Sequence, residues 1–440
     1  MDTPIIDFLD RYASSGALRC HMPGHKGDTR FFPRPEWDIT EISGADALFE
    51  AQGIIAESER NMSRLYGTAA TVYSAGGSTL CIQAMLAIMK REGRRVLAVR
   101  NAHRAFLNAA ALTDIRLDWL MPVRRDGILS GTVSPAAAEA ALSGFGEDQS
   151  CLYVTSPDYT GRTADIPALA EVCRRHGARL IVDNAHGAHL AFMPENIHPI
   201  ALGADMCCDS AHKMLPALTG AAMLHTSREE YAPLLKPAMA MFGSTSPSYL
   251  IMASLDGCCR YIADEIRGDI ADSLRYARVF RESFAGRLAF AEGDPFHVTV
   301  RASESGYNGD ELAQLLRDEG CECEYSDSGL LILLMSPVNR REDWERLGPA
   351  MEKVLGRAEN HQPFSWECET FLPERAMTVR EAVFAPSEDI PVDEAEGRIC
   401  GAVNVPCPPA VPIAASGEVI DRRCINIFKR YGIFTVNVVK

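Results

Sequence analysis

Two short runs near the middle of the chain carry residue types suited to covalent and acid–base work. "CCDSAHKMLPALTGAAMLH" runs from Cys207 to His225, and in it Lys213 stands among small, apolar and hydroxyl-bearing neighbours. A lysine amine in such a loop suits Schiff-base chemistry with a carbonyl. "LIVDNAHGAH" drives an apolar strand into Asp183, with His186 three residues on and His189 six on. Asp183 suits two tasks: ligating a metal with His186 and His189, or holding a heterocyclic nitrogen protonated. The metal reading is the weaker, because Gly187 and Ala188 spoil a helical presentation and no further ligand cluster is evident. No metal site is expected.

Two more runs bring complementary groups. "SAGGST", Ser74 to Thr79, reads as a strand end opening a helix. Its backbone amides, with the Ser78 and Thr79 hydroxyls, suit a phosphate at a helix N-terminus. The same residues would also serve as a plain turn and N-cap. "RNAH" sets His103 at the next strand end, as a ring stacker or a structural hydrogen-bonder. A phosphate cradle, an aromatic stacker, a carboxylate and an amine together are what pyridoxal phosphate requires.

Those residues need a scaffold that brings strand ends together. From Thr71 to about Asp209, short apolar runs alternate with amphipathic stretches. "ATVYS", "RRVLAVR", "SCLYVTS" and "ARLIVD" read as strands, and "LCIQAMLAIMKREG" and "IPALAEVCRRHG" as helices with glycine stops. That alternation predicts an α/β fold with a mostly parallel sheet, whose ligands sit beyond the carboxyl ends of the strands. The expected segments are an ordered N-terminal arm (1–50), a large domain (51–269), a small α+β domain (270–358) and a C-terminal domain (359–440). "FHVTVRA", "CECEYSDSG" and "LLILLMSP" read as strands of the small domain.

Composition sets outer limits. The 440 residues are 47% hydrophobic and 23% charged, an ordinary globular profile. A net charge of -15 and the lack of a basic run argue against nucleic acid as a partner. No apolar run is long enough for a membrane span. The N-terminus has no signal-peptide pattern, and the 14 cysteines are scattered without CxxC spacing, so reduced thiols and a cytoplasmic location are expected.

The chain resembles the Orn/Lys/Arg decarboxylase family of fold-type-I, aspartate-aminotransferase-like pyridoxal-phosphate enzymes, in the short form without an N-terminal wing domain. "HMPGHKG" (His21 to Gly27), "TEISGADAL", "GGST", "RNAH", "VDNAHGAHLAF", "DSAHKMLPALTG", "STSPSYLIMASLD" and "AEGRICGAVNVPCPPAVPIAASGEVI" carry the resemblance. It implies that Lys213 bonds the cofactor aldehyde, Asp183 pairs with the ring nitrogen and His103 stacks on the ring. It places Gly77, Ser78, Thr79, Ser210 and His212 at the phosphate and His186 beside the ring. Thr245, in "STSP", would reach the phosphate of a neighbouring subunit, which requires a homodimer or a larger homo-oligomer with shared sites. Glu418 takes the place of a family acid near the distal end of the substrate.

Departures from the family pattern gather on the substrate side: Leu80 and Cys81 after "GGST", Arg104 and Ala105 after His103, and Asp158 and Asn184 at strand ends. Others are Cys407 to Ala410, where the family has "YPPG", and Ser416 before Gly417 and Glu418. Asp158 joins Glu418 as a candidate substrate residue. The expected activity is decarboxylation of arginine, lysine or ornithine. Another pyridoxal-phosphate reaction on a different amino acid, and a non-catalytic cofactor-binding protein, are the alternatives.

Overall fold

A computed structural model describes residues 1–30, 35–123, 126–146, 148–369, 371–402 and 411–440. Seven strands, β1 (Ala70–Ser74), β2 (Arg95–Val99), β3 (Leu117–Leu120), β4 (Ser150–Thr155), β5 (Arg179–Asp183), β6 (Met206–Asp209) and β7 (Ala222–Thr226), form a mostly parallel sheet. Their order is β1-β7-β6-β5-β4-β2-β3. This is the α/β arrangement predicted from the alternation of strands and helices. The chain divides into two compact units: Met1–Ile88, Arg179–Ala271 and Ser336–Val338 form one, and Met89–Ala178, Asp272–Met335 and Asn339–Lys440 the other. Among the described residues, no helix is long and apolar enough to cross a membrane.

In the first unit β5 and β6 run parallel, while β7 pairs antiparallel with both β6 and β1. The helix Ile54–Tyr66 buries Ile55, Ser58 and Met62. Its first turn is capped from a distance: the Asp46 carboxylate accepts from the amides of Gly53 at 2.8 Å and Ile55 at 3.1 Å. The N-terminal arm contains more regular structure than its composition predicts. Pro4–Ser14 is a helix, with Pro at its start and Ile5 and Leu9 buried. Asp256 tethers it, accepting from the amides of Ile5 at 3.0 Å and Ile6 at 3.1 Å.

In the second unit β4, β2 and β3 run parallel. β8 (His297–Arg301), β9 (Tyr325–Ser326) and β10 (Leu330–Leu334) form an antiparallel sheet in the order β8-β10-β9. The unbroken apolar run of β10 has a direct cause, since strand side chains alternate between faces. Leu331 and Leu333 enter one core with Phe280, Phe284, Val298 and Met351. Leu330 and Ile332 enter another with Ile413, Ile425, Phe428 and Val436. The strand expected over "CECEYSDSG" shrinks to Tyr325–Ser326, because Asp327 accepts from the amides of Gly329 and Leu330, both at 2.8 Å, and closes a turn. β11 (Ser387–Pro391) and β12 (Thr435–Val439) pair antiparallel near the C-terminus.

Candidate active site

β6 ends at Asp209, and the next five residues set up the lysine. Ser210 leads into the short helix Ala211–Met214, which carries His212 and Lys213. The Ser210 hydroxyl donates to Ser78 Oγ at 2.9 Å. That bond joins the lysine loop to the start of the helix Gly77–Arg91. The turn before this helix is pinned twice. Gly77, at φ +68°, donates its amide to Gly220 O at 2.8 Å, and Ser74 Oγ donates to Gly77 O at 2.9 Å. A 15-residue helix thus presents its amide end beside two hydroxyls, an arrangement that favours an anion. Ser78 is half-buried and Thr79 exposed.

Lys213 is half-buried, and its Nζ lies 2.9 Å from His186 Nε2. When the amine is protonated it has only N–H bonds to offer, and the His186 Nε2 lone pair then accepts from it. His212 donates Nδ1–H to Ala221 O at 3.0 Å. Burial pushes the His212 ring below the usual histidine value; the bond to Ala221 opposes this and the charge of Lys213 adds to it.

Asp183 closes β5 and is buried. The parallel register pairs Asp183 with Cys208. Its Oδ1 accepts from the Ala185 amide at 3.2 Å and the Cys208 thiol at 3.6 Å. Burial pushes the Cys208 thiol well up, which keeps it a donor. The next residue turns to the reverse face. Asn184 Nδ2 donates to Asp209 Oδ1 at 2.7 Å, and a Cβ at Gly187 would lie 2.0 Å from Asn184 Oδ1, so only glycine fits there. Asp209 is fully buried with His198 Nε2 at 3.1 Å and His225 Nε2 at 3.4 Å from its Oδ2. Burial alone would raise this carboxyl; the two imidazoles more than reverse that and hold it well below the usual range.

All these residues belong to the first unit, as does Thr245, which is exposed in the segment before the helix Tyr249–Asp264. His103, Asp158 and Glu418 belong to the second. His103 caps the helix Arg104–Thr113, its Nδ1 accepting from the Ala105 amide at 3.0 Å.

Asp158 does not stand free for a substrate. Its Oδ1 accepts from Thr160 N, Thr160 Oγ1 and Arg162 N, and its Oδ2 from Ser130 Oγ and Gly131 N, at 2.8–3.1 Å. Burial raises its carboxyl, and those donors oppose the rise. The group organises the turn after β4.

Glu418 also departs from expectation. Its Oε2 receives Arg100 Nη2 at 2.8 Å and the Ala415 amide at 2.7 Å, with Arg100 and Glu418 2% and 1% exposed. Arg100 also donates to Pro412 O at 3.0 Å and sits over the Trp119 ring. The glutamate charge is already compensated, so the lone acid expected for the substrate is not what the structure presents. Instead the pair fastens Pro412–Glu418 to the end of β2. Cys407 lies outside the described residues.

Asp183, Ser78 and Lys213 were legible as strand-end and loop residues of reactive type. Arg100, His198 and His225 were not, although the position of Asp209 two residues after Cys207 on one strand was a usable signal.

The fold is that of pyridoxal-phosphate-dependent enzymes: a solved serine palmitoyltransferase carrying that cofactor matches with TM-score 0.57 at 12% identity, over 80% of this chain and 84% of that one. The donor set fits the cofactor, with an amine for its aldehyde, a carboxylate for its ring nitrogen, and amides and hydroxyls for its phosphate. More closely, the chain belongs to the Orn/Lys/Arg decarboxylase family, whose major domain matches residues 3–300 and whose C-terminal domain matches residues 365–434. An arginine decarboxylase of Bacillus subtilis is 27% identical over 462 residues, covering 97% of this chain and 93% of its own. The crystal structure of the Francisella novicida lysine decarboxylase LdcF aligns with TM-score 0.83 at 16% identity, over 100% of this chain and 81% of that one.

Proposed function

We propose that this chain removes the α-carboxylate of arginine, lysine or ornithine as carbon dioxide and releases the amine, with pyridoxal phosphate as cofactor. The observation that carries the reading is that one short segment, Ser210 to Lys213, makes two bonds of 2.9 Å, Ser210 to Ser78 at a helix start and Lys213 to His186. Lys213 would bond the cofactor aldehyde, Asp183 would hold the ring nitrogen, and Ser78, Thr79, Ser210 and His212 would hold the phosphate beside the turn that Gly77 makes, its own amide held by Gly220 O. Thr245 would serve the phosphate of a neighbouring subunit in a homodimer or larger assembly. When bound, the cofactor supplies an electron sink for the pair left as the bond from Cα to the carboxylate breaks.

The chain's own groups prepare that event. Asp183 is buried beside the Ala185 amide and the Cys208 thiol, which fix its orientation. A carboxylate so fixed keeps a proton on a facing nitrogen through a charge-assisted bond. His186 takes a proton from Lys213 Nζ and leaves the amine nucleophilic; the reverse transfer returns the proton. The Ser210 hydroxyl, donating to Ser78 Oγ at 2.9 Å, ties the lysine segment to the start of the helix Gly77–Arg91.

The test is a panel of amino acids assayed for carbon dioxide and for amine, with an absorbance spectrum of the purified protein. Carbon dioxide and amine in equal amounts from a basic substrate are expected. A keto acid formed without carbon dioxide would refute decarboxylation. An absorbance band unaffected by Lys213→Ala would refute the role of the lysine.

A further inference from the structure

On the face of β6 opposite Cys208 and Asp183, strand geometry gathers a second set of donors. Cys207 and Asp209 are two apart on β6, so they share a face. The antiparallel register sets Cys207 directly across from His225 on β7. His198 comes over the same face from the segment between β5 and β6. Among the described residues, His198, Cys207 and Asp209 form a group whose ligand atoms all lie within 4.8 Å of one another. All three are buried, as is His225.

We propose that His198, Cys207 and Asp209, with His225 as fourth donor, bind a divalent transition metal of the zinc class as a closed structural site. Ideal tetrahedral zinc bonds of about 2.0–2.3 Å set ligand–ligand edges of about 3.4 Å between N and O and about 3.6 Å from S to N or O. The observed separations are 3.1 Å from His198 Nε2 to Asp209 Oδ2, 3.8 Å from Cys207 Sγ to His198 Nε2 and 3.9 Å from Cys207 Sγ to Asp209 Oδ1. The nitrogen–oxygen separation is about 0.3 Å shorter than ideal and the two sulfur separations about 0.2–0.3 Å longer, the sulfur–oxygen one taken to the other oxygen of the carboxylate. His225 Nε2 is 3.4 Å from Asp209 Oδ2 and makes no hydrogen bond among the described residues. Its Nδ1 lies 2.8 Å from Thr71 Oγ1. Without an ion, an Nε2–H facing Asp209 serves that carboxylate; in the metal-bound form Nδ1–H donates to the Thr71 hydroxyl and Nε2 turns its lone pair to the ion. An imidazole oriented through its other nitrogen is the usual arrangement around a metal.

A mixed thiolate, imidazole and carboxylate set selects zinc over magnesium or calcium, which take oxygen alone. On binding, Cys207 releases its thiol proton to solvent and no electrons move. The bound ion would fasten β6, β7 and the segment carrying His198. It would hold Asp209, and through Asn184 Nδ2 the residue next to Asp183, without touching the cofactor site. The proposal does not rest on the decarboxylase reading, because its readout is metal and not turnover.

The test uses the intact protein expressed in zinc-supplemented medium and desalted with EDTA. Elemental analysis should find about one zinc per chain, because a buried closed site does not exchange readily. Zinc-edge X-ray absorption should show one sulfur at about 2.3 Å and nitrogen or oxygen at about 2.0–2.1 Å. Cys207→Ser combined with Asp209→Asn should lower the content at least tenfold. Zinc below about a tenth of an equivalent in the wild-type protein, or a zinc shell without sulfur, overturns the site, and neither result depends on the variants folding.

Discussion

Replacing Glu418 with glutamine separates two jobs for this side chain. The carboxylate and the Arg100 guanidinium meet at 2.8 Å, 1% and 2% exposed. At an effective dielectric of about 20, unit charges at that distance attract by about 6 kcal/mol, and burial takes back part of that. Removing one partner from a buried pair costs about 3–5 kcal/mol, since the other charge stays behind without water. Glutamine keeps the shape and can still accept from the Ala415 amide, so Glu418→Gln should cost about 3 kcal/mol, near the low end of that range. Arg100→Met should cost the same or more, because it also strands the Pro412 carbonyl, now bonded at 3.0 Å. Together the two changes should cost at least about 2 kcal/mol less than their sum, because neither charge is then stranded. Urea unfolding of the four proteins, followed by far-UV circular dichroism, measures this. KM for arginine and for a neutral amino acid runs alongside. If Glu418→Gln shifts stability by under about 0.5 kcal/mol while raising KM only for the cationic substrate, Glu418 is a substrate acid after all, and the pairing argument fails.

Lys213→Ala should abolish turnover with an unchanged far-UV spectrum; residual steady-state turnover above background would remove the lysine from the mechanism. Asp183→Asn should retain the cofactor by absorbance yet lose at least about a hundredfold in kcat, since it would remove the charge proposed to face the ring nitrogen. Near-normal kcat there would mean another carboxylate serves the ring. Burial pushes the Asp256 carboxyl up to about 6, against 3.8 when exposed, and the hydrogen bonds from Ser58, Ile6 and Ile5 only partly oppose it. A raised carboxyl adds stability that is complete below the unfolded value and is lost as pH rises through about 6. Asp256→Asn should therefore remove about 3 kcal/mol of that slope between pH 4 and about 7. Parallel stability-against-pH curves for the two proteins would contradict this.

The sheet was legible because its strands are short apolar runs separated by helices with glycine stops, a pattern written in neighbouring residues. The N-terminal helix was not, because its stability is not local. Pro4–Ser14 gains its place from Ile5 and Leu9 in the core and from Asp256, a carboxylate some 250 positions away that takes its free amides. Likewise "CECEYSDSG" has alternation enough for a strand, and a side-chain-to-backbone turn at Asp327 ends the ladder early.

The candidate site divides along the same line. Lys213, Asp183 and Ser78 stand at strand ends and helix starts, so residue type and strand-end position mark them as candidates. A carboxylate differs, since its function depends on what neutralises it, and that partner is not near in sequence. Glu418 and Asp158 share a residue class and a buried setting, and both invited a substrate role. One is answered by Arg100, 318 positions away, and the other by five donors from two loops. Asp209 drew no role of its own in the sequence, yet strand register and the segment carrying His198 set it among two imidazoles and a thiol. If the substrate is the basic amino acid proposed above, a group whose charge is not already matched inside the fold is the better candidate for its distal cation. Buried acids should be tested for a partner before they are assigned to a substrate.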